Sequence, residues 1–66
     1  MDLVDLVDEH EAAAFLGLAS GTLSNWRWRK QGPRFVRVAG NRIRYRVEDL
    51  RKFVNDRVIE PIPSHD

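Results

Sequence analysis

Cysteine is absent from this 66-residue chain, so neither a disulfide staple nor a thiolate metal site exists. Histidine occurs only at His10 and His65, too far apart in sequence to suggest a zinc site by spacing. No apolar run approaches the roughly 20 residues a membrane-spanning helix needs. The start, Met1-Asp2, is acidic and lacks a secretory signal. There is no internal repeat, no low-complexity tract, no Gly-rich phosphate loop and no nucleophile–base pair. An enzyme is therefore not expected, and no catalytic residue, metal or cofactor is assigned. A chain below about 70–80 residues builds one small core of modest stability, which also argues against a deep catalytic cavity. The expectation is a single intracellular domain with no membrane contact.

What the chain does have is segregated charge. The net charge is only +1. Residues 1–18 nevertheless carry Asp2, Asp5, Asp8, Glu9 and Glu11 with no Lys or Arg. Residues 27–46 carry Arg27, Arg29, Lys30, Arg34, Arg37, Arg42, Arg44 and Arg46 with no acid. Residues 47–66 are acidic again, with five acids against three bases. Arginine grips phosphates and guanine edges bidentately, so the basic middle points to a polyanion partner. A solvated face usually mixes signs.

Asp8 reads as an N-cap with Glu11 as its capping-box partner, which predicts a first helix over Glu9–Leu16. Ala12, Ala13, Phe15 and Leu16 would form its apolar stripe. Residues 1–7 read as a short extended or helical lead-in. Gly17 suits a left-handed stop, and Ser20 reads as the N-cap of a second helix over roughly Gly21–Lys30. Gln31-Gly32-Pro33 ends it. Two alternating runs, Phe35–Val38 and Ile43–Arg46, flank the turn cluster Ala39–Arg42 and predict a β-hairpin. In it Val36 and Val38 share a face, Ile43 and Tyr45 share a face, and Arg42, Arg44 and Arg46 share the opposite one. Val47, Leu50, Phe53, Val54 and Val58 recur at helical spacing, with Glu48 and Asp49 in the first turn complementing the dipole. Pro61 and Pro63 end this helix.

The spacing Ala13-x3-Gly17-x5-Leu23 is the skeleton of a helix-turn-helix. Ala13 must be small where two helices cross, Gly17 permits the sharp turn, and Leu23 fills the angle between them. Leu16, Leu18 and Trp26 are apolar where the motif needs burial. Such a unit places its second helix in the major groove of DNA; an ordinary αα-corner is the simpler alternative. On the second helix Leu23, Trp26, Arg27 and Lys30 project inward by periodicity. Gly21, Ser24, Asn25, Trp28 and Arg29 lie opposite. The expected major-groove and phosphate contacts are Ser20, Thr22, Ser24, Asn25, Arg27, Trp28 and Arg29. Asn suits adenine and Arg suits guanine or phosphate, and the Ser20 end offers free backbone N–H groups to a phosphate. Arg27 is ambiguous, its stem at the core edge and its head within reach of a phosphate. Trp28 is open between packing on the hairpin and contacting DNA or a partner. The hairpin contributes Arg34, Arg37, Asn41, Arg42, Arg44 and Arg46, an arginine-bearing wing suited to a minor groove. Tyr45 is expected in the core with an exposed hydroxyl.

Four segments together resemble a known family. Glu11–Leu18, Thr22–Arg27, Gly32–Val38 and Arg44–Leu50 look like the excisionase/AlpA-type winged helix-turn-helix, with a MerR-like fold. The resemblance spans about residues 7–56. It implies a mainly α member of the α/β class: a helix-turn-helix, a two-stranded β-hairpin wing and a C-terminal helix. Residues 8–58 would form the DNA-binding domain, 1–7 its lead-in and 59–66 a flexible tail. It also implies double-stranded DNA as partner, with Ser20–Arg29 in the major groove and Arg37–Arg44 in the adjacent minor groove. Larger MerR regulators continue into a long dimerisation helix, and none is expected after residue 58. The resemblance then favours a bacteriophage recombination directionality factor. Such a factor binds tandem sites beside neighbouring copies head-to-tail, bends DNA and steers a site-specific integrase towards excision, in the cytoplasm of a bacterial host. A small AlpA-like transcriptional regulator is the alternative. A module that binds an acidic protein is a third reading, from a different class.

Overall fold

A computed structural model of the protein describes residues 5–61. Along the chain run β1 (Leu6–Val7), α1 (Glu9–Leu16), α2 (Ser20–Trp28), β2 (Val36–Ala39), β3 (Arg42–Arg46) and α3 (Val47–Asn55). The start of α1 is held by the capping box. The Glu11 backbone N–H donates to Asp8 Oδ1 at 2.8 Å, and the Asp8 N–H donates to Glu11 Oε1 at 3.0 Å. Two orphan donors of the first turn are thereby satisfied. At the other end Gly17 takes a left-handed conformation (φ 73°). Its N–H donates to the Ala14 carbonyl and the Leu18 N–H to the Ala13 carbonyl, the two bonds of a Schellman stop. The chain can then turn at once into α2.

The core is small. Ala12, Ala13, Leu23, Tyr45 and Leu50 are buried, and Val7, Leu16, Trp26 and Ile43 pack against them. Ala13 and Leu23 thus occupy the helix crossing, as the motif requires. Leu18 does not join them: it is 36% exposed, because it lies in the inter-helix turn, outside the crossing. Trp26 meets Phe53 of α3 with ring centroids 5.8 Å apart. Gly32 closes over Trp26, since a Cβ there would stand 2.7 Å from Trp26 Cε3 and the backbone is left-handed at φ 95°. Only glycine meets both demands.

The strands form one antiparallel sheet in the order β1-β3-β2. Leu6 lies opposite Arg46 and Val7 opposite Tyr45, and the Val47 N–H donates to the Asp5 carbonyl at 2.9 Å. The lead-in is therefore a third strand, too short for alternation to announce. Between β2 and β3 the pairs are Val36–Arg44, Arg37–Ile43 and Ala39–Arg42, with an irregularity between Arg37 and Ala39. One extra residue, Val38, interrupts the pairing there. Residues directly opposite in a sheet project to the same side. Val36 and Leu6 therefore lie on the arginine face with Arg44 and Arg46, and Arg37 lies on the face of Ile43.

Three helices on a three-stranded antiparallel sheet make a mainly helical, small winged helix-turn-helix. Three helix boundaries differ from expectation, one being the end of α2 at Trp28 instead of Lys30. Ala19, not Ser20, is the N-cap of α2 and provides no side-chain bond; Ser20 is the first helical residue. Helix α3 ends at Asn55 with Asp56 as C-cap, well before Pro61. Val58 is 64% exposed, so the apolar repeat outruns the core that could bury it. Residues 62–66 of the expected tail over 59–66, and residues 1–4 of the lead-in, lie outside the described residues.

Candidate nucleic-acid interface

Helix α2 and the β2–β3 hairpin present the polar and basic side chains that the sequence singled out. On α2, Ser24, Asn25 and Trp28 are exposed, as is its C-cap Arg29, while Ser20 and Thr22 are half-buried. Trp28 is 84% exposed and packs on nothing in the hairpin, so its open alternative resolves towards the surface. The N-terminus of α2 has no side-chain cap, which leaves first-turn N–H groups available to an anion. On the wing, Arg37, Asn41 and Arg42 are exposed around the turn, where the Arg37 guanidinium donates to the Gly40 carbonyl at 3.4 Å. Arg34 is exposed at the base of the wing. Arg44 is half-buried and folds back to donate to the Ile43 carbonyl at 2.8 Å.

Two of the expected contact residues are bound within the fold. Arg27 Nη1 donates to Glu9 Oε1 at 2.7 Å and to the Tyr45 hydroxyl at 3.0 Å. Its guanidinium also stands 5.7 Å from the Phe35 ring centroid. One side chain thus ties α1, α2 and β3 together. Burial opposes its charge, but the Tyr45 and Glu9 hydrogen bonds outweigh this and hold its pKa above the ordinary arginine value. Tyr45 is buried, so its hydroxyl is an interior acceptor and not the exposed group expected. Alternation along one strand cannot show which helix side chain reaches it.

Arg46 forms a two-pronged pair with Asp49: Nε to Oδ2 at 2.7 Å and Nη2 to Oδ1 at 3.0 Å. It also meets Glu48 at 3.2 Å. Asp49 is only 7% exposed. Its hydrogen bonds from Arg46 hold its pKa below the usual carboxylate range, against the opposing effect of burial. The Asp49 hydrogen bonds likewise raise the Arg46 pKa. Sequence alone suggests a dipole partner in Asp49; an acid three residues after an arginine, across a strand–helix joint, is the signal for the pair.

Lys30 departs from the helical projection. Helix α2 stops at Trp28, and Lys30 lies beyond it, exposed, with a left-handed backbone at φ 60°. A projection at 100° per residue loses meaning where the helix ends, so Lys30 does not face inward. Arg29, Lys30, Arg34, Arg37 and Arg42 make no ion pair among the described residues.

No helix among the described residues is long and apolar enough to cross a membrane. Among curated proteins, none matches the sequence. A family model described as a helix-turn-helix domain matches residues 7–58. That stretch contains all three helices and both strands of the wing, and begins within β1. The chain therefore belongs to this helix-turn-helix family, and its function class is sequence-specific binding of double-stranded DNA.

Proposed function

We propose that the protein is a DNA-bending accessory factor of site-specific recombination, an excisionase that binds tandem sites cooperatively and steers an integrase towards excision. The observation that carries this reading is the pairing of two exposed readers on one small scaffold. Helix α2 with its C-cap offers Ser24, Asn25 and Arg29, and the wing tip offers Arg37, Asn41 and Arg42. Asn25 and Arg29 have the donor patterns for base edges. The wing arginines suit a narrow, electronegative minor groove. One module of this size buries only about 600–1,000 Å² of surface on DNA. Much of its affinity then comes from phosphate contacts and falls steeply with salt. Adjacent copies raise the specificity. Acidic flanks on either side of a basic segment favour head-to-tail contacts between neighbours, which propagate as an open array.

The test is an excision reaction containing a site-specific integrase and its attachment-site DNA, with and without this protein. A gel shift on tandem against single sites runs alongside. Stimulated excision with cooperative occupancy and a bent complex supports the proposal. Independent occupancy, with no stimulation of excision and control of a promoter instead, establishes the small transcriptional regulator.

A further inference from the structure

Helices α1 and α2 end with the same hydrogen-bond pattern but not with the same residue. At the end of α1 the left-handed position is Gly17, as backbone sterics favour. At the end of α2 the Lys30 N–H donates to the Arg27 carbonyl at 3.0 Å, and the Gln31 N–H donates to the Trp26 carbonyl at 2.8 Å. These are again the two bonds of a Schellman stop, yet its left-handed residue is a lysine at φ 60°. A side chain with a Cβ is disfavoured there. A cation near a helix C-terminus recovers part of that cost through the dipole, but Arg27 already sits in the last turn of α2. Strain of this kind persists where surrounding structure holds it and a site uses it.

Lys30 lines an open cleft of about 420 Å³ with Arg27, Gln31, Pro33, Arg34 and Phe35. One water needs about 10–15 Å³ on this measure, so the cleft has room for a phosphate group. The cleft lies between the end of α2 and the start of β2. Arg27 is held by Glu9 and Tyr45, whereas Lys30 and Arg34 make no ion pair among the described residues. Gly32, clamped on Trp26, sets the backbone that separates these two cations.

We infer that this cleft seats a backbone phosphate of the bound duplex between the recognition helix and the wing, and that Lys30 is kept in its disfavoured conformation to contact it. The inference rests on the DNA-binding reading and adds a phosphate-contacting residue to it. A phosphate contact is indifferent to base sequence. Lys30 therefore contributes equally on every duplex.

The experiment measures affinity against salt concentration for two duplexes: one enriched by the wild-type protein from a randomised pool, and one unrelated. Each released counterion changes the logarithmic salt slope by about 0.9, equivalent to about eightfold in affinity near 0.1 M salt. Lys30→Gly is expected to weaken binding by that factor on both duplexes and to lower the slope by about 0.9. The same variant should melt higher, by about 4–8 °C, because the left-handed strain is relieved. Lys30→Asn tolerates the backbone but lacks the charge, and should show the same loss in binding. Lys30→Arg should keep the slope. Wild-type binding with unchanged affinity and slope in Lys30→Gly and Lys30→Asn overturns the inference and leaves the DNA-binding reading standing. A loss confined to the enriched duplex makes Lys30 a base contact and overturns it as well. Failure of the wild-type protein to bind any duplex removes both readings.

Discussion

The arginines of the basic middle, the half-buried Arg44 aside, divide into two groups that sequence alone does not distinguish. Arg27 and Arg46 face acids of the same chain: Glu9 at 2.7 Å for the first, Asp49 at 2.7 Å and Glu48 at 3.2 Å for the second. Arg29, Arg34, Arg37 and Arg42 are exposed and make no ion pair among the described residues. The first group joins elements. Arg27 links both helices of the helix-turn-helix to β3, and Arg46 locks β3 to the first turn of α3. The second group has unsatisfied donors facing solvent, which is what a polyanion binder requires. A run of like charge is therefore not one functional unit. Part of it fixes the angle between the recognition helix and the wing, and the remainder is available to the phosphates between them.

Three measurements test that division. The largest effect is expected for Arg27→Ala. Its side chain is about one-fifth exposed (21%), and its loss leaves the buried Tyr45 hydroxyl without this donor. Stability should fall by about 2 kcal/mol, read as a midpoint shift in urea with an unchanged slope. If Arg27→Ala unfolds at the wild-type midpoint yet loses DNA affinity, Arg27 belongs with the free group and the division fails. Arg42→Ala should behave in the opposite way. Its stability should stay within about 0.5 kcal/mol of wild type, while affinity drops about eightfold near 0.1 M salt, equally across sequences.

The smallest effect concerns acid. The Asp49 pKa is lowered in the folded protein, first by its hydrogen bonds from Arg46. Its contribution is therefore complete above the unfolded carboxylate value near 4 and is lost as pH falls through the lower folded value. Thermal melts should decline below about pH 4, and Asp49→Asn should flatten that decline. An identical acid profile in Asp49→Asn would mean that Arg46 holds its place without Asp49.

Much of the fold was legible because its signals are local. The capping box of Asp8 and Glu11, the left-handed Gly17 and the Ala13–Leu23 spacing each follow from backbone or volume demands within a few residues. The hairpin followed from alternation around Gly40 and Asn41. The signals that misled were of another kind. Ser20 is a favourable cap residue, but Ala19 took the cap position. Val58 continues an apolar repeat for which no core remains. The two-residue strand Leu6–Val7 is too short to declare itself and exists because β3 offers it an edge.

The candidate interface divides along the same line. The sequence by itself determined the basic middle, the helix-turn-helix spacing and the alternation of the wing, since these depend on composition and on neighbours in the chain. Only the tertiary structure decided which cations are left for a ligand. Whether Glu9 reaches Arg27 across 18 residues, whether Asp49 turns back onto Arg46, and whether Lys30 leaves its helix in a left-handed bend all depend on where separate elements come to rest. Ion pairing and backbone conformation at a helix end are set by three-dimensional proximity and packing, and periodicity along one element carries no information about either.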